Sequence, residues 1–228
     1  MNATSATAAE QLPDLGIAAP TNFTIDTKTI PGKRLLRFDT VIVNVGSGAF
    51  QLEGTGSGGS MPTVRQRVFD SNGTSVLDDP VATDMYFAGD GHSHWHVRDL
   101  ATYSLNRLDN GVVVGTGAKH GFCFYDNYKY RLTLTGAPTA ATYTTCGTNP
   151  QATSVTMGLS VGWGDLYDAN LTDQYIDITG LKQGKYRLNS TVDANGWFRE
   201  RNNNNNNTWT ELQITNKGAK VVSQGPTP

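Results

Sequence analysis

The sequence predicts an all-β protein, a single-domain antiparallel β-sandwich with long loops, and three observations carry that prediction. Short stretches in which β-branched and aromatic residues alternate with polar ones recur along the chain, the pattern of strands that bury one face. Clusters of Gly, Asn, Asp and Pro separate them, and these are the residues that turns require. No stretch of a dozen residues carries a helical period, so no amphipathic helix is expected.

In chain order the strand-like stretches are Phe23–Ile30, Leu35–Val45, Val64–Phe69, Ala101–Leu108, Gly121–Leu134, Ser154–Leu159, Tyr175–Ile178, Tyr186–Val192 and Trp209–Ile214. Asp70-Ser71-Asn72-Gly73, Asp109-Asn110-Gly111 and Lys182-Gln183-Gly184-Lys185 have the residues that hairpin turns favour. Many short strands at this spacing suit a sandwich or barrel. No internal repeat or interdomain linker is visible. Residues 1–12 read as a flexible N-terminal tail, 13–216 as the domain and 217–228 as a C-terminal tail.

A chain of 228 residues is long enough to bury a substantial core. Apolar residues make up 37% and charged residues 17%, with a net charge of -2 and no block of like charge. Such a surface has no field to gather nucleic acid or anionic lipid, so neither is expected as a partner. No apolar run approaches the roughly 18 residues that span a bilayer. The first ten residues lack a basic region and an apolar stretch, so they do not read as a signal peptide. They read as a mature chain behind a new methionine. Cys123 and Cys146, the chain's 2 cysteines, are either buried thiols or a bridge. The bridge is the favoured reading: chain entropy values such a loop at about 3 kcal/mol, and it implies a secreted, extracellular protein.

Chemistry concentrates in Gly91-His92-Ser93-His94-Trp95-His96, which holds three of the chain's 4 histidines. Alternation places the three imidazoles on one face of an extended segment. A flat strand would set the outer Cα atoms about 13 Å apart, too wide for one ion, so the segment must bend. Gly89-Asp90-Gly91 supplies that freedom. Three neutral imidazoles suit Zn(II) or Cu(II), and copper has the higher intrinsic affinity. The competing reading is a surface strand with chance histidines beside a core Trp95. The histidines alone fit a hydrolase, an oxidase or a metal carrier equally.

The rest of the chain separates these, because the sequence resembles the lysyl oxidase catalytic domain over nearly its full length. The fragments that carry the resemblance are His92-Ser93-His94-Trp95-His96 followed by Asp99, then Lys119-His120-Gly121-Phe122-Cys123, and a looser match at Cys146 and Thr156-Met157-Gly158. Gly162-Trp163-Gly164-Asp165-Leu166-Tyr167 and Tyr175-Ile176-Asp177-Ile178-Thr179 complete the series, with Leu12-Pro13-Asp14-Leu15 and Leu35-Leu36-Arg37-Phe38 near the start. Each fragment is weak, and their shared order makes coincidence improbable.

The resemblance implies that His92, His94 and His96 bind Cu2+ and that Lys119 and Tyr167 become lysine tyrosylquinone, the built-in cofactor. Residue chemistry agrees: a phenol near Cu(II) and O2 can be oxidised, and a lysine deprotonated by burial near a cation can add to the ring. The implied reaction is oxidative deamination of primary amines, either lysine side chains of a protein or small alkyl amines. O2 is consumed, and an aldehyde, hydrogen peroxide and ammonia are released. Asp165 matches the family's Asp-x-Tyr and is the candidate base, with Asp99 in reserve as a base or as an orienting partner for a histidine.

This chain departs from the animal members in two respects. Their histidine soon after the copper segment is replaced within Ala101-Thr102-Tyr103, which leaves its role absent or passed to a group such as His120. Their several disulfides are reduced to one at most. A second site is also implied: Asp14, the Leu15 carbonyl, Glu200, Asn202, Asn205 and Asn206 match a Ca2+ site of some relatives and offer the hard oxygens that calcium prefers. Such a site would pin the two chain ends together. The alternative to an enzyme is a non-catalytic copper-binding β module for storage or delivery, which needs only the histidines. A three-histidine zinc hydrolase comes last, since it gives Lys119 and Tyr167 no task.

Overall fold

Strands form largely where the alternation places them. The computed structural model describes residues 8–89 and 93–228. In chain order its strands are β1 (Glu10–Gln11), β2 (Leu15–Ile17), β3 (Thr21–Asp26), β4 (Leu35–Asn44), β5 (Phe50–Ser57), β6 (Ser60–Asp70) and β7 (Ser75–Val81). They continue as β8 (Met85–Phe87), β9 (Trp95–Arg98), β10 (Ala101–Arg107), β11 (Val113–Thr116), β12 (Gly121–Phe122) and β13 (Tyr128–Lys129). The last are β14 (Ser154–Leu159), β15 (Trp163–Tyr167), β16 (Tyr175–Asp177), β17 (Gly184–Val192), β18 (Asn207–Thr215) and β19 (Gly218–Gln224).

The described residues form an all-β fold whose antiparallel strands fall into three sheets. An 8-stranded sheet runs β12-β9-β8-β6-β5-β14, with β1 and β7 also on β6. A 5-stranded sheet runs β11-β10-β17-β18-β19, and a 6-stranded one is built around β4. Strand β4 is buried along almost its whole length, because its first half lies between β3 and β16 and its second half between β2 and β15. By contrast β17 alternates strictly, turning Tyr186, Leu188, Ser190 and Val192 inward. That is the period of two expected when one face meets the core. Phe38, Phe50, Trp95, Phe122, Phe124 and Tyr186 are its largest members.

Several expectations about the chain change. Residues 218–224 lie in the expected C-terminal tail, yet they form β19, returning through an Asn216-Lys217 turn to pair with β18. Pro228 is tied down as well, its carbonyl accepting hydrogen bonds from the Tyr130 hydroxyl (2.9 Å) and Arg131 (2.7 Å). Within the expected N-terminal tail, β1 pairs with β6. The turns at Asp70–Gly73 and Asp109–Gly111 do connect paired strands, with Gly73 and Gly111 at positive φ. Lys182–Lys185 instead starts a crossover, since β16 pairs with β4 while β17 pairs with β10 and β18. The long strand expected over 121–134 is divided into β12 and β13. A Cys123–Cys146 disulfide bends the chain there (Cα–Cα 5.7 Å), and Asp126 diverts it further by accepting the N–H groups of Thr142 and Tyr143.

Candidate active site

The pairing of β12 with β9 and of β15 with β4 brings distant stretches of sequence to one cavity of about 370 Å³. Its wall contains His94, His96, Lys119, Tyr125, Asp165 and Tyr167. The fragments singled out from the sequence therefore meet in space.

His96 lies on β9 and is buried, while His94 precedes the strand. His92 lies outside the described residues. Ser93 has a positive φ of 50°. The Nε2 atoms of His94 and His96 are 2.9 Å apart. That distance suits an N–H···N hydrogen bond. It equally suits two lone pairs about 2.05 Å from one ion at a right angle, whereas a tetrahedral pair would stand about 3.3 Å apart. Two imidazole nitrogens this close can serve one ion of the kind that imidazole favours, Cu2+ or Zn2+. Among the described residues no group of three or more His, Cys, Asp and Glu side chains is arranged to hold a metal ion. Tyr86 packs edge-on against His96 at 5.6 Å between ring centres. Gly121 permits this approach, because a Cβ there would stand 2.2 Å from the Tyr86 hydroxyl and 2.7 Å from His96 Nδ1.

Lys119 is only 6% exposed, which is unusual for a lysine. Its Nζ lies 5.0 Å from the centre of the Tyr167 ring and 5.4 Å from that of Phe122. The Tyr167 hydroxyl donates to the Cys123 carbonyl (3.2 Å), so the disulfide segment also holds the tyrosine. Burial, and then the neighbouring Asp165 carboxylate, push the Tyr167 phenol well above its ordinary range. Burial likewise raises Asp165, opposed by Tyr167, Asn127 and the Lys119 charge. Asp165 Oδ1 accepts from Asn127 Nδ2 at 2.6 Å, and Oδ2 is buried without a hydrogen-bond partner among the described residues.

Asp99, the reserve candidate, lies beside His120. It pairs with His120 Nδ1 at 2.7 Å, both side chains are at least half exposed, and neither lines the cavity. Asp99 itself has a positive φ of 53°. Tyr103, in the stretch where the sequence lacks the histidine of the animal members, is buried, its hydroxyl is pushed up to about 12 chiefly by burial, and it interacts electrostatically with Asp165 and Tyr167. Sequence reasoning did not single out Tyr125, Asn127, Asp168 and Leu171, which also line the cavity. No pattern in the sequence marks them.

The residues of the second site gather at the chain ends. Glu200 Oε2 accepts the Leu15 N–H, and Glu200 Oε1 accepts from Asn206 Nδ2 (3.0 Å). Asp14 Oδ1 accepts from Asn205 Nδ2 (2.7 Å), and its other oxygen meets Arg201 (3.1 Å). The side-chain oxygens of Asn205 and Asn206 are buried without partners among the described residues, as they would be if they faced a cation. Asn202 is exposed and caps its own loop at Asn204 N–H, so it stands apart from this cluster. Asp193, unmarked in the sequence, joins it: burial, then Asp193 and Asp14, push Glu200 up to about 8.

Comparison with known proteins gives the geometry a context. The sequence model described as Lysyl oxidase matches residues 64–224. Lysyl oxidase homolog 3 of Homo sapiens is 31% identical over 104 residues, covering 46% of this chain and 12% of the relative. Protein-lysine 6-oxidase of Sus scrofa is 30% identical over 128 residues, 54% of this chain and 45% of the relative. The human protein-lysine 6-oxidase is 31% identical over 106 residues, 45% of this chain and 22% of the relative. The chain thus spans less than half the length of each of these relatives.

Proposed function

Since the chain belongs to the lysyl oxidase family, we propose that it is a copper-dependent amine oxidase whose cofactor is made from Lys119 and Tyr167. The observation that carries this reading is the buried Lys119 ammonium 5.0 Å from the Tyr167 ring, in one cavity with His94, His96 and Asp165. His92, His94 and His96 are the proposed copper ligands. When bound, copper supplies redox contact with O2, and a lysine tyrosylquinone supplies a two-electron sink. Overall, a primary amine, O2 and water give an aldehyde, ammonia and hydrogen peroxide.

The chain's own residues bind, orient and move the proton. Leu166 and Leu171 give the cavity apolar surface for an alkyl chain, and Asp165 and Asp168 give it negative charge for the entering ammonium. Asp165, whose Oδ2 has no hydrogen bond of normal geometry among the described residues, takes the proton from the carbon beside the amine nitrogen. The substrate is a small alkyl amine or a lysine side chain of a protein. The disulfide supports an extracellular location. Asp14, Leu15, Glu200, Asn205 and Asn206, with Asp193 added, form a structural Ca2+ site in this reading. A non-catalytic copper module would need the histidines alone and gives no reason to bury Lys119.

The test is copper-loaded protein followed by intact mass, visible absorbance and peroxide release from an alkyl amine. Quinone absorbance and peroxide that vanish in Lys119→Arg and Tyr167→Phe support the proposal. Copper binding with neither signal in the parent chain would leave the carrier instead.

A further inference from the structure

Asn127 does two things with one side chain. Its Nδ2 donates to Asp165 Oδ1 at 2.6 Å, and its Oδ1 accepts the N–H of Leu166 at 2.6 Å. The backbone explains the fit. Strand β13 pairs with β15 through Tyr128↔Gly164, so one step further the register sets Asn127 opposite Asp165. There the ladder ends, and the amide side chain takes over for the missing strand backbone. The preceding residue is fixed in place: Asp126 Oδ1 accepts the Ser160 N–H (2.8 Å), and Oδ2 accepts from the Ser160 hydroxyl (2.7 Å), Thr142 N–H (2.8 Å) and Tyr143 N–H (3.1 Å). Asn127 thus hangs from a rigid point and reaches both the carboxylate and the residue between it and Tyr167.

We propose that Asn127 is a positioning residue for amine oxidation. It clamps Asp165 through Oδ1 and the Leu166 backbone together, leaving Oδ2 free to meet the substrate at a set distance from Tyr167. The inference rests on the reading of Asp165 as the base. Only an amide serves here: it offers a donor to the carboxylate and an acceptor to the N–H, and it carries no charge that titrates. The Asp165 carboxylate is also faced by the Lys119 ammonium, the Tyr167 phenol and the Asp126 carboxylate, so a charged clamp would alter the local balance.

The test uses copper-loaded full chain, with turnover normalised to quinone titrated by phenylhydrazine. Asn127→Ala is expected to lower kcat per quinone on the order of 100-fold, with KM within about threefold and a larger isotope effect from α-deuterated amine. Asn127→Asp keeps the acceptor for Leu166 and places a second carboxyl against Asp165. The two then share one proton at low pH and lose it as pH rises. Its kcat is expected to approach the parent value at low pH and to fall along a new basic limb, which a merely structural role would not produce. Unchanged kcat and pH profile in both variants, with Asp165→Asn inactive, overturn the clamp and leave the base reading intact. Variants that fold but form no quinone overturn it too, since Asn127 would then serve cofactor formation. Asp165→Asn with full turnover overturns the base reading and the clamp with it.

Discussion

The Glu200 cluster makes stability depend on pH in a direction that can be worked out. Burial, with Asp193 and Asp14 nearby, raises the Glu200 carboxyl from 4.5 to about 8 in the fold. The folded chain then holds a proton that the unfolded chain releases. Its contribution is fully present below pH 4.5 and is lost as pH climbs through about 8. At about 1.4 kcal/mol per pH unit, the upper bound is about 5 kcal/mol. Side-chain rearrangement and water entry reduce this, and about 2 kcal/mol is the expected loss between pH 5 and pH 8. For a chain of this size that is a fall in Tm of roughly 4–8 °C. The assay is calcium-free thermal unfolding across this window, comparing the parent chain with Glu200→Gln. Only the difference in slope matters, because every other titratable group is common to both proteins. Ca2+ should flatten the slope of the parent, since a cation favours the carboxylate, and Cu2+ should not. Parallel slopes for the two proteins would refute the assignment of the proton to Glu200. A parent slope unchanged by Ca2+ would refute the calcium site.

The remaining predictions concern the active-site frame. Replacing the disulfide in Cys123→Ser/Cys146→Ser opens a loop with a sequence separation of 23. Chain entropy sets the loss at about 3 kcal/mol, or roughly 6–12 °C in Tm. Quinone yield should fall as well, because the Cys123 carbonyl holds the Tyr167 hydroxyl; full yield at normal stability would show that the bridge does not hold the tyrosine. Gly121→Ala forces a Cβ to within 2.7 Å of His96 Nδ1. Copper affinity in a chelator competition should drop about tenfold or more, and an unchanged affinity would mean that β12 does not fix the histidine.

How far the sequence could be read depended on whether a property was periodic or three-dimensional. Alternation marked β10, β17 and β18 because each buries one face against the core. It marked β15 poorly: Trp163-Gly164-Asp165-Leu166-Tyr167 is buried at four of five positions and shows no period. Strand β5 ends in Gly54-Thr55-Gly56-Ser57, which reads as a loop, and Gly54 is needed there because Met61 and Met85 leave no room for a Cβ. The histidine run and the Lys119 and Tyr167 fragments were visible through their order. The pairing of Asp99 with His120 could not be read from its separation from the histidine run. Asn127 and Asp193 lay beyond reach, since a clamp or an added carboxylate is defined by what stands opposite.

The two proposed sites share one physical character, and it differs from that of the surrounding core. Lys119, Asp165 and Tyr167 are all less than 7% exposed. Burying an ammonium and a carboxylate costs several kcal/mol each before their attraction repays it. An apolar core of the same volume would serve folding at least as well, so stability alone does not account for the group. The same holds at the chain ends, where Asp14, Asp193 and Glu200 are gathered although like charges repel. In the cavity Asn127 and Lys119 offset part of that cost, while at the chain ends Arg201 pairs with Asp14. The cavity is thus balanced by its own residues and ready to hold charge through a reaction. The second cluster is left acidic, with buried amide oxygens lacking a partner among the described residues. What would balance it is a cation from solution, and that would make calcium a determinant of stability, whereas copper would determine chemistry.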